Sequence, residues 1–360
     1  MRRNSFRFST PFRALGLIVP LTGLTLLAGA CASKSSASTS TTSNAPVAIH
    51  LGYLTNLTHA SALVGVRDGY FTKELPKNAT LQSATFNAGP AEVTALLSGS
   101  LDVAYLGPSS AITAFSQSQG KGIQIISGAT SGGAALVVND TITTANQLKG
   151  KTLATPQLGN TQDVALRTWL KSQRITFTDP NGGSGDVNIL PQQNSTTLTA
   201  FESGSIAGAW VPEPWATRLV AEGHGHVLVN EKSLWPKGQF STTVLVVTSN
   251  FLKSHADLVN DLLKGQVAAN SYLNSSPARA QADANDALAT ITGKALNPAE
   301  LTASWSELKF TDDPIAASIA ADVKDAAAVG FPTTKITGLY DLGPLNQLLH
   351  TDGQPQVSTS

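Results

Sequence analysis

Three stretches of the sequence put small polar residues where an apolar run stops and a helical run begins. They are Gly107-Pro108-Ser109-Ser110-Ala111, Gln157-Leu158-Gly159-Asn160-Thr161-Gln162 and Leu54-Thr55-Asn56-Leu57-Thr58-His59. At such a junction the first N–H groups of the helix have no intrahelical acceptor, and the helix dipole adds positive potential. The chemistry this suits is capture of a small anion by converging donors rather than by a full counter-charge. Each favourable charge contact contributes only about 0.3–1 kcal/mol at an exposed site, so several must meet. Gly107 and Gly159 permit close backbone approach. Thr55, Asn56, Ser109, Ser110, Asn160, Thr161 and Gln162 add side-chain donors, and His59, beside a helix start, is expected to stay neutral and donate. Capping by Ser109, Asn160 or Thr161, and a structural role for His59, are the competing readings of the same residues.

A fourth stretch, Trp210-Val211-Pro212-Glu213-Pro214-Trp215, ends a strand that echoes an earlier one. Ala95 to Ala111 aligns with Ala200 to Ala216, 105 residues later, with identical residues at the ends, in a Ser-Gly-Ser turn and in mid-strand. Tyr105 falls opposite Trp210. The echo is either a common helix-turn-strand unit recurring by chance, or two lobes that each present the end of this strand to a shared cleft, where open α/β sheets bind their ligands. Trp210 would then cover an aliphatic part of a ligand, unless it packs in the core. Glu213 cannot favour an anion by charge; facing the cleft it would favour an ammonium group, and facing outward it would serve docking.

The elements behind these turns alternate between short strands and helices from Val47 onward, which predicts an α/β fold with mainly parallel sheets. VAIHLGYL, LDVAYL, IQIISGA, ALVV, KTLAT, VNILP, HVLVN and TTVLVV read as strands, and the chain is mostly helical from there to Leu349. Thr58 and Gly69 are expected to bound the first helix, and Pro90 to sit in the first turn of the second. A chain of 360 residues exceeds one ordinary core, so two units are expected.

The N-terminus is a separate matter. Residues 1–30 have a basic start, an apolar run and small residues leading to Cys31, the features of an export leader. The run is interrupted by Gly16, Pro20 and Gly23, so it falls short of the roughly 20 apolar residues of a spanning helix. The stretch before Cys31, the single cysteine, resembles a lipoprotein signal that would make Cys31 the lipidated first residue, with simple secretion as the alternative. Ala32 to Pro46 is small and polar, a flexible tether.

Composition excludes several classes. The leader carries four arginines and no acid, which leaves 20 basic against 24 acidic side chains in the remainder, a balance unsuited to nucleic acid. With Cys31 set aside, disulfides, thiolate metal sites and a cysteine nucleophile are excluded. Gly223-His224-Gly225-His226 offers two histidines and no cysteine, an incomplete metal site, Asn181 to Gly185 lacks the spacing of a phosphate loop, and no HExxH or GxSxG occurs. No cofactor and no catalysis are indicated.

LTHASALVG, FNAGPAEVTALLSGSLDVAYLGPSSA, GKTLATPQLGNTQDVALRTWL and GAWVPEPWATRLV together resemble the periplasmic solute-binding proteins of nitrate, sulfonate and taurine ABC importers, from about Ile49 to Leu349. The resemblance implies a type II periplasmic-binding-protein fold: two α/β lobes joined by two crossing strands, expected near Ala135 to Val138 and Thr242 to Val247. Lobe 1 would comprise residues 47–137 and 242–350, lobe 2 residues 138–241, and residues 351–360 a tail. It further implies a monomer that closes on a small sulfonate, taurine or nitrate, docks on a membrane permease and, through Cys31, is held at the outer face of the membrane. An enzyme on the same fold, related to thiamine-pyrimidine synthesis, and a surface sensor without transport are the alternatives.

Overall fold

The computed structural model describes residues 46–178 and 182–359. The expected leader, Cys31 and the tether up to residue 45 lie outside the described residues.

Eleven strands are found among the described residues: β1 (Val47–Leu54), β2 (Ala79–Phe86), β3 (Val103–Leu106), β4 (Ile123–Gly132), β5 (Ala134–Val138), β6 (Thr152–Thr155), β7 (Asn188–Pro191), β8 (Gly208–Pro212), β9 (His226–Asn230), β10 (Ser241–Thr248) and β11 (Leu308–Phe310). They form two sheets, ordered β11-β4-β10-β3-β1-β2 and β7-β6-β8-β5-β9. Helices cover both faces of each, so β3 and β8 are buried from end to end and read as nearly continuous apolar runs. The first sheet and its helices make one lobe and the second sheet the other.

The sheets are mixed rather than mainly parallel. β1 runs parallel to β2 and β3, and β6 parallel to β7 and β8, but β10 is antiparallel to β3 and β4, and β5 to β8 and β9. β10 and β5 are the strands entered directly after the chain passes between sheets, without the helical crossover that a parallel neighbour needs.

The first passage lies at Gly132 and Gly133, not along Ala135 to Val138, because every residue of β5 already pairs with β8. Both glycines have left-handed backbone, φ 82° and 76°. A Cβ on Gly132 would stand 2.4 Å from the carbonyl oxygen of Glu307, and one on Gly133 2.2 Å from Leu308 Cδ2, so only glycine lets the chain turn tightly against β11. The return passage is residues 231–240, two short 3-10 turns ahead of β10.

The sequence echo is a structural repeat. Ser100 N–H donates to Ala95 O at 2.9 Å and Ser205 N–H to Ala200 O at 2.8 Å. The flanking serine hydroxyls pair in both turns, Ser98 with Ser100 and Ser203 with Ser205. Tyr105 and Trp210 are both fully buried and aim their polar ends at a buried acceptor, Gln266 Oε1 and Glu231 Oε2 respectively. Each stands beside the antiparallel strand of its sheet, Tyr105 opposite Leu245 and Trp210 opposite Leu136.

Candidate functional site

The ends of β1, β3 and β8 and the turn after β6 meet where the lobes face each other. The first lobe contributes Leu54, Asn56, Thr58, His59, Gly89, Gly107, Ser110 and Thr242 to the cavity there, and the second Asn160, Thr161, Gln162 and Pro212. Its volume is about 20 Å³, room for the centre of about one water. The three turns singled out in the sequence thus converge on one point. No lysine or arginine is among the residues lining it.

Local chemistry explains each contribution. Pro108 opens the helix Pro108–Gln117 directly off β3, with Gly107 extended as its N-cap, so the first-turn amides face the cleft end of the strand. Asn160 Oδ1 caps the helix Thr161–Ser172 by accepting Asp163 N–H at 2.9 Å, and its amide donates to Gln162 Oε1 at 2.9 Å. Asn160 therefore both caps and lines. Thr161 Oγ1 is buried without a partner on the cavity wall, the kind of orphan that a ligand satisfies. A Cβ built on Gly107 would come 2.4 Å from that oxygen, so the lobes touch here at the limit of approach.

Beneath this turn lies a buried ion pair. Asp163 accepts from Arg167 Nε at 3.0 Å, from Gly159 N–H at 2.9 Å and from Thr155 Oγ1 at 2.9 Å. Arg167 also donates to Thr178 O at 2.6 Å and faces the Phe177 and Phe331 rings. The network fixes the loop after β6 to its own helix and sets it on Phe331 of the first lobe.

His59 is 2% exposed, and Leu54 N–H points at its Nδ1 at 3.3 Å. An accepting Nδ1 leaves the proton on Nε2. Burial lowers its pKa to about 3, so it is a neutral donor. Thr58, expected to cap the first helix, is buried, and its carbonyl accepts from Thr243 Oγ1 at 2.9 Å.

Five expected residues stand elsewhere. Thr55 lines a neighbouring groove with Asn87, Ser195 and Trp215. Ser109 lies inside its helix, 2% exposed, with an unpartnered hydroxyl but off the cavity wall. Gly159 packs on Phe331 and only positions its neighbours. Trp210 belongs to the core of the second lobe beside Trp169, centroids 6.1 Å apart. Glu213 turns away: its Oε2 accepts Thr217 N–H at 3.1 Å in the next helix, burial pushes its carboxyl up, and it lines a separate groove with Ala134 and Glu307. The reading of Glu213 as a partner for an ammonium group in the cleft is therefore set aside.

Leu54, Thr58 and Pro212 lie within the stretches singled out but were not expected to line the site, and Gly89 and Thr242 were missed from sequence. Gly89 carried a usable signal, because it opens the helix Gly89–Leu97 after β2 as Gly107 does after β3. Thr242 carried none; it sits on the return strand, with its hydroxyl on Gly132 O at 2.5 Å.

The lobes are also tied outside the cavity. Trp215 Nε1 donates to Asn56 Oδ1 at 3.0 Å and Leu57 N–H to Glu213 O at 3.2 Å. At the hinge, Asn230 and Lys232 both reach Glu307, at 2.8 and 2.7 Å.

The profile of the NMT1-like family matches residues 43–290. The chain is 29% identical over 216 residues to the taurine-binding periplasmic protein of Escherichia coli strain K12, a match covering 60% of this chain and 64%, under two thirds, of that relative. Among solved structures it is similar to the alkanesulfonate-binding protein SsuA from Xanthomonas axonopodis pv. citri bound to MOPS, with a TM-score of 0.63 and 20% identity over 79% of this chain and 92% of that one. It is similar too to the periplasmic nitrate-binding protein NrtA from Synechocystis PCC 6803, with a TM-score of 0.67 and 12% identity over 85% and 89%. At these identities the structures show a shared fold.

Proposed function

The chain belongs to the NMT1-like family, and from that premise we propose that it is the solute-binding component of an ABC importer, closing two lobes over a small sulfonate, taurine, nitrate or related molecule. The observation that carries the reading is the convergence of neutral donors from both lobes: the helix starts at Gly107 and Thr161, the orphaned Thr161 hydroxyl and the neutral His59. The taurine-, alkanesulfonate- and nitrate-binding relatives agree with it.

A site with donors and no cation suits a single delocalised negative charge, spread over several oxygens that each take one hydrogen bond. With Glu213 turned away and no carboxylate on the cavity wall, an ammonium group on the same ligand would rely on neutral acceptors. A monoanionic sulfonate or nitrate is therefore preferred over a zwitterion. The cavity is too small for any of these with the lobes as they stand, so capture requires a hinge motion at Gly132-Gly133 and residues 231–240. In the same reading the partner is a membrane permease, the location is outside the cytoplasm, and Cys31 is the point of lipid attachment.

Thermal melting of the purified protein with ethanesulfonate, taurine, nitrate and a pyrimidine tests this. A bound ligand at 100 times its Kd adds about 2.7 kcal/mol. A rise in Tm with at least one of the first three is expected; no rise with any of them overturns the proposal.

A further inference from the structure

A second cavity, about 430 Å³, lies along the helix Thr161–Ser172, away from the cleft. Its walls come from three parts of the chain: Thr168 and Trp169 from that helix in the second lobe, Glu231 and Trp235 from the return passage, and Asp322 and Asp325 from the helix Ala316–Ala328 in the first lobe.

The polar groups on these walls are poorly matched to one another. Asp322 is only 7% exposed, and among the described residues no side chain or backbone group hydrogen-bonds to its carboxyl. Its charged neighbours are acids: Glu231 and Asp325 repel its ionised form, and burial and that repulsion together push its carboxyl well above the ordinary range. Glu231 is 2% exposed, accepts from Trp210 Nε1 at 2.7 Å and is pushed up to about 7 by burial. Thr168 Oγ1 is buried without a partner on the same wall. Three carboxyl groups thus border one cavity without a basic side chain on its walls. A buried carboxyl without a partner is costly, and such groups mark places where a charge partner is to be supplied.

Among the described residues no group of three or more His, Cys, Asp or Glu is close enough together to hold a metal ion. The acids are instead spread around walls that are mainly apolar, Val164, Ala165, Leu234 and Ala321, with two indoles. Acids held protonated among aromatic faces suit a positive charge carried on an apolar body, whose arrival favours their ionisation and releases the proton to solvent.

We propose that this cavity binds a small organic cation, a protonated amine or a quaternary ammonium with an apolar body, through Asp322, Glu231 and Asp325. The cation would touch both lobes and the passage between them, so it would favour the closed arrangement. It would also bear on the helix whose first turn, Asn160 to Gln162, lines the cleft, and the two ligands would strengthen each other reciprocally.

Calorimetric titration of the purified protein with benzylamine at pH 7.5, and with benzyl alcohol as its uncharged counterpart, tests the site. Benzylamine is expected to bind one per chain and benzyl alcohol at least tenfold more weakly. Asp322→Asn is expected to weaken benzylamine at least tenfold. Ala165→Phe, which fills the cavity without touching the acids, is expected to remove binding and decides the matter if Asp322→Asn does not fold. Equal binding of amine and alcohol would show an apolar groove only and overturn the proposal, as would absence of benzylamine binding or an affinity unchanged in both variants.

Discussion

Trp215 of the second lobe donates its indole N–H to Asn56 Oδ1 of the first, 3.0 Å away, at the edge of the cavity where the lobes meet. The bond exists only while the lobes are together, so it belongs to the closed arrangement and not to either lobe alone. Trp215→Phe keeps the ring over the Arg218 guanidinium and removes the donor. A net hydrogen bond of about 1 kcal/mol corresponds to a roughly fivefold rise in Kd for the cleft ligand, with the melting of the free protein little changed. Calorimetry on the variant checks it; an unchanged Kd removes this bond from closure.

Gly107 faces Thr161 across the cleft, and its backbone, φ −68° and ψ 150°, is open to any residue. Gly107→Val therefore costs little within its own lobe but puts carbon where the Thr161 hydroxyl lies. Ligand affinity is expected to fall at least tenfold while Tm without ligand stays within about 2 °C, a ΔΔG of under about 1 kcal/mol. Retained affinity would show that the lobes need not approach this closely.

His59 supplies the acid sensitivity. Its pKa is near 3 in the folded protein against 6.5 when exposed, so between these values the unfolded chain binds more protons and stability falls as pH falls. At pH 5 the loss is about 2 kcal/mol, from 1.36 kcal/mol per unit below 6.5. His59→Gln should flatten the pH dependence of Tm between pH 7 and 5. An identical slope in the variant would mean that the ring is charged in the folded state or that other groups dominate.

Glu92 acts in the opposite direction. It is fully buried against Gly52 and Leu101, neither carboxyl oxygen has a partner, and burial pushes its pKa well above the ordinary range. The folded state then holds the proton longer than the unfolded chain, so stability falls as pH rises above about 4.5. Glu92→Gln keeps the shape but cannot ionise. It should match the parent protein near pH 5 and exceed it at pH 8 by at least about 1 kcal/mol, or about 2–4 °C in Tm. An equal gain at both values would point to packing.

Much of this was legible in the sequence, for identifiable reasons. The turns at Gly107, Asn160 and Asn56 were found because strand ends and helix starts leave clear marks in glycine, proline and small polar residues. The repeat was found because the two copies keep the same Ser-Gly-Ser turn and strand length. β2 was missed because it is an edge strand, largely exposed, and ATLQSATF lacks an apolar face; β11 was missed because three residues carry no period. Side-chain direction was not legible: Trp210 lies in β8 and Glu213 just past its end, yet one points into the core and the other toward the next helix. Nor was Asp322, since its isolation depends on Glu231, which is distant in sequence and brought close by the return passage.

The central claim is that both lobes grip one small anion through neutral donors. Titration of ethanesulfonate, taurine and nitrate into the purified protein by calorimetry at two salt concentrations tests it most directly. The account predicts one-to-one binding of at least one of them, with a Kd of about 1 µM or below, or about −8 kcal/mol, and little salt dependence because no fixed charge pair is formed. No heat with any of the three, or binding that weakens steeply with salt, would contradict it.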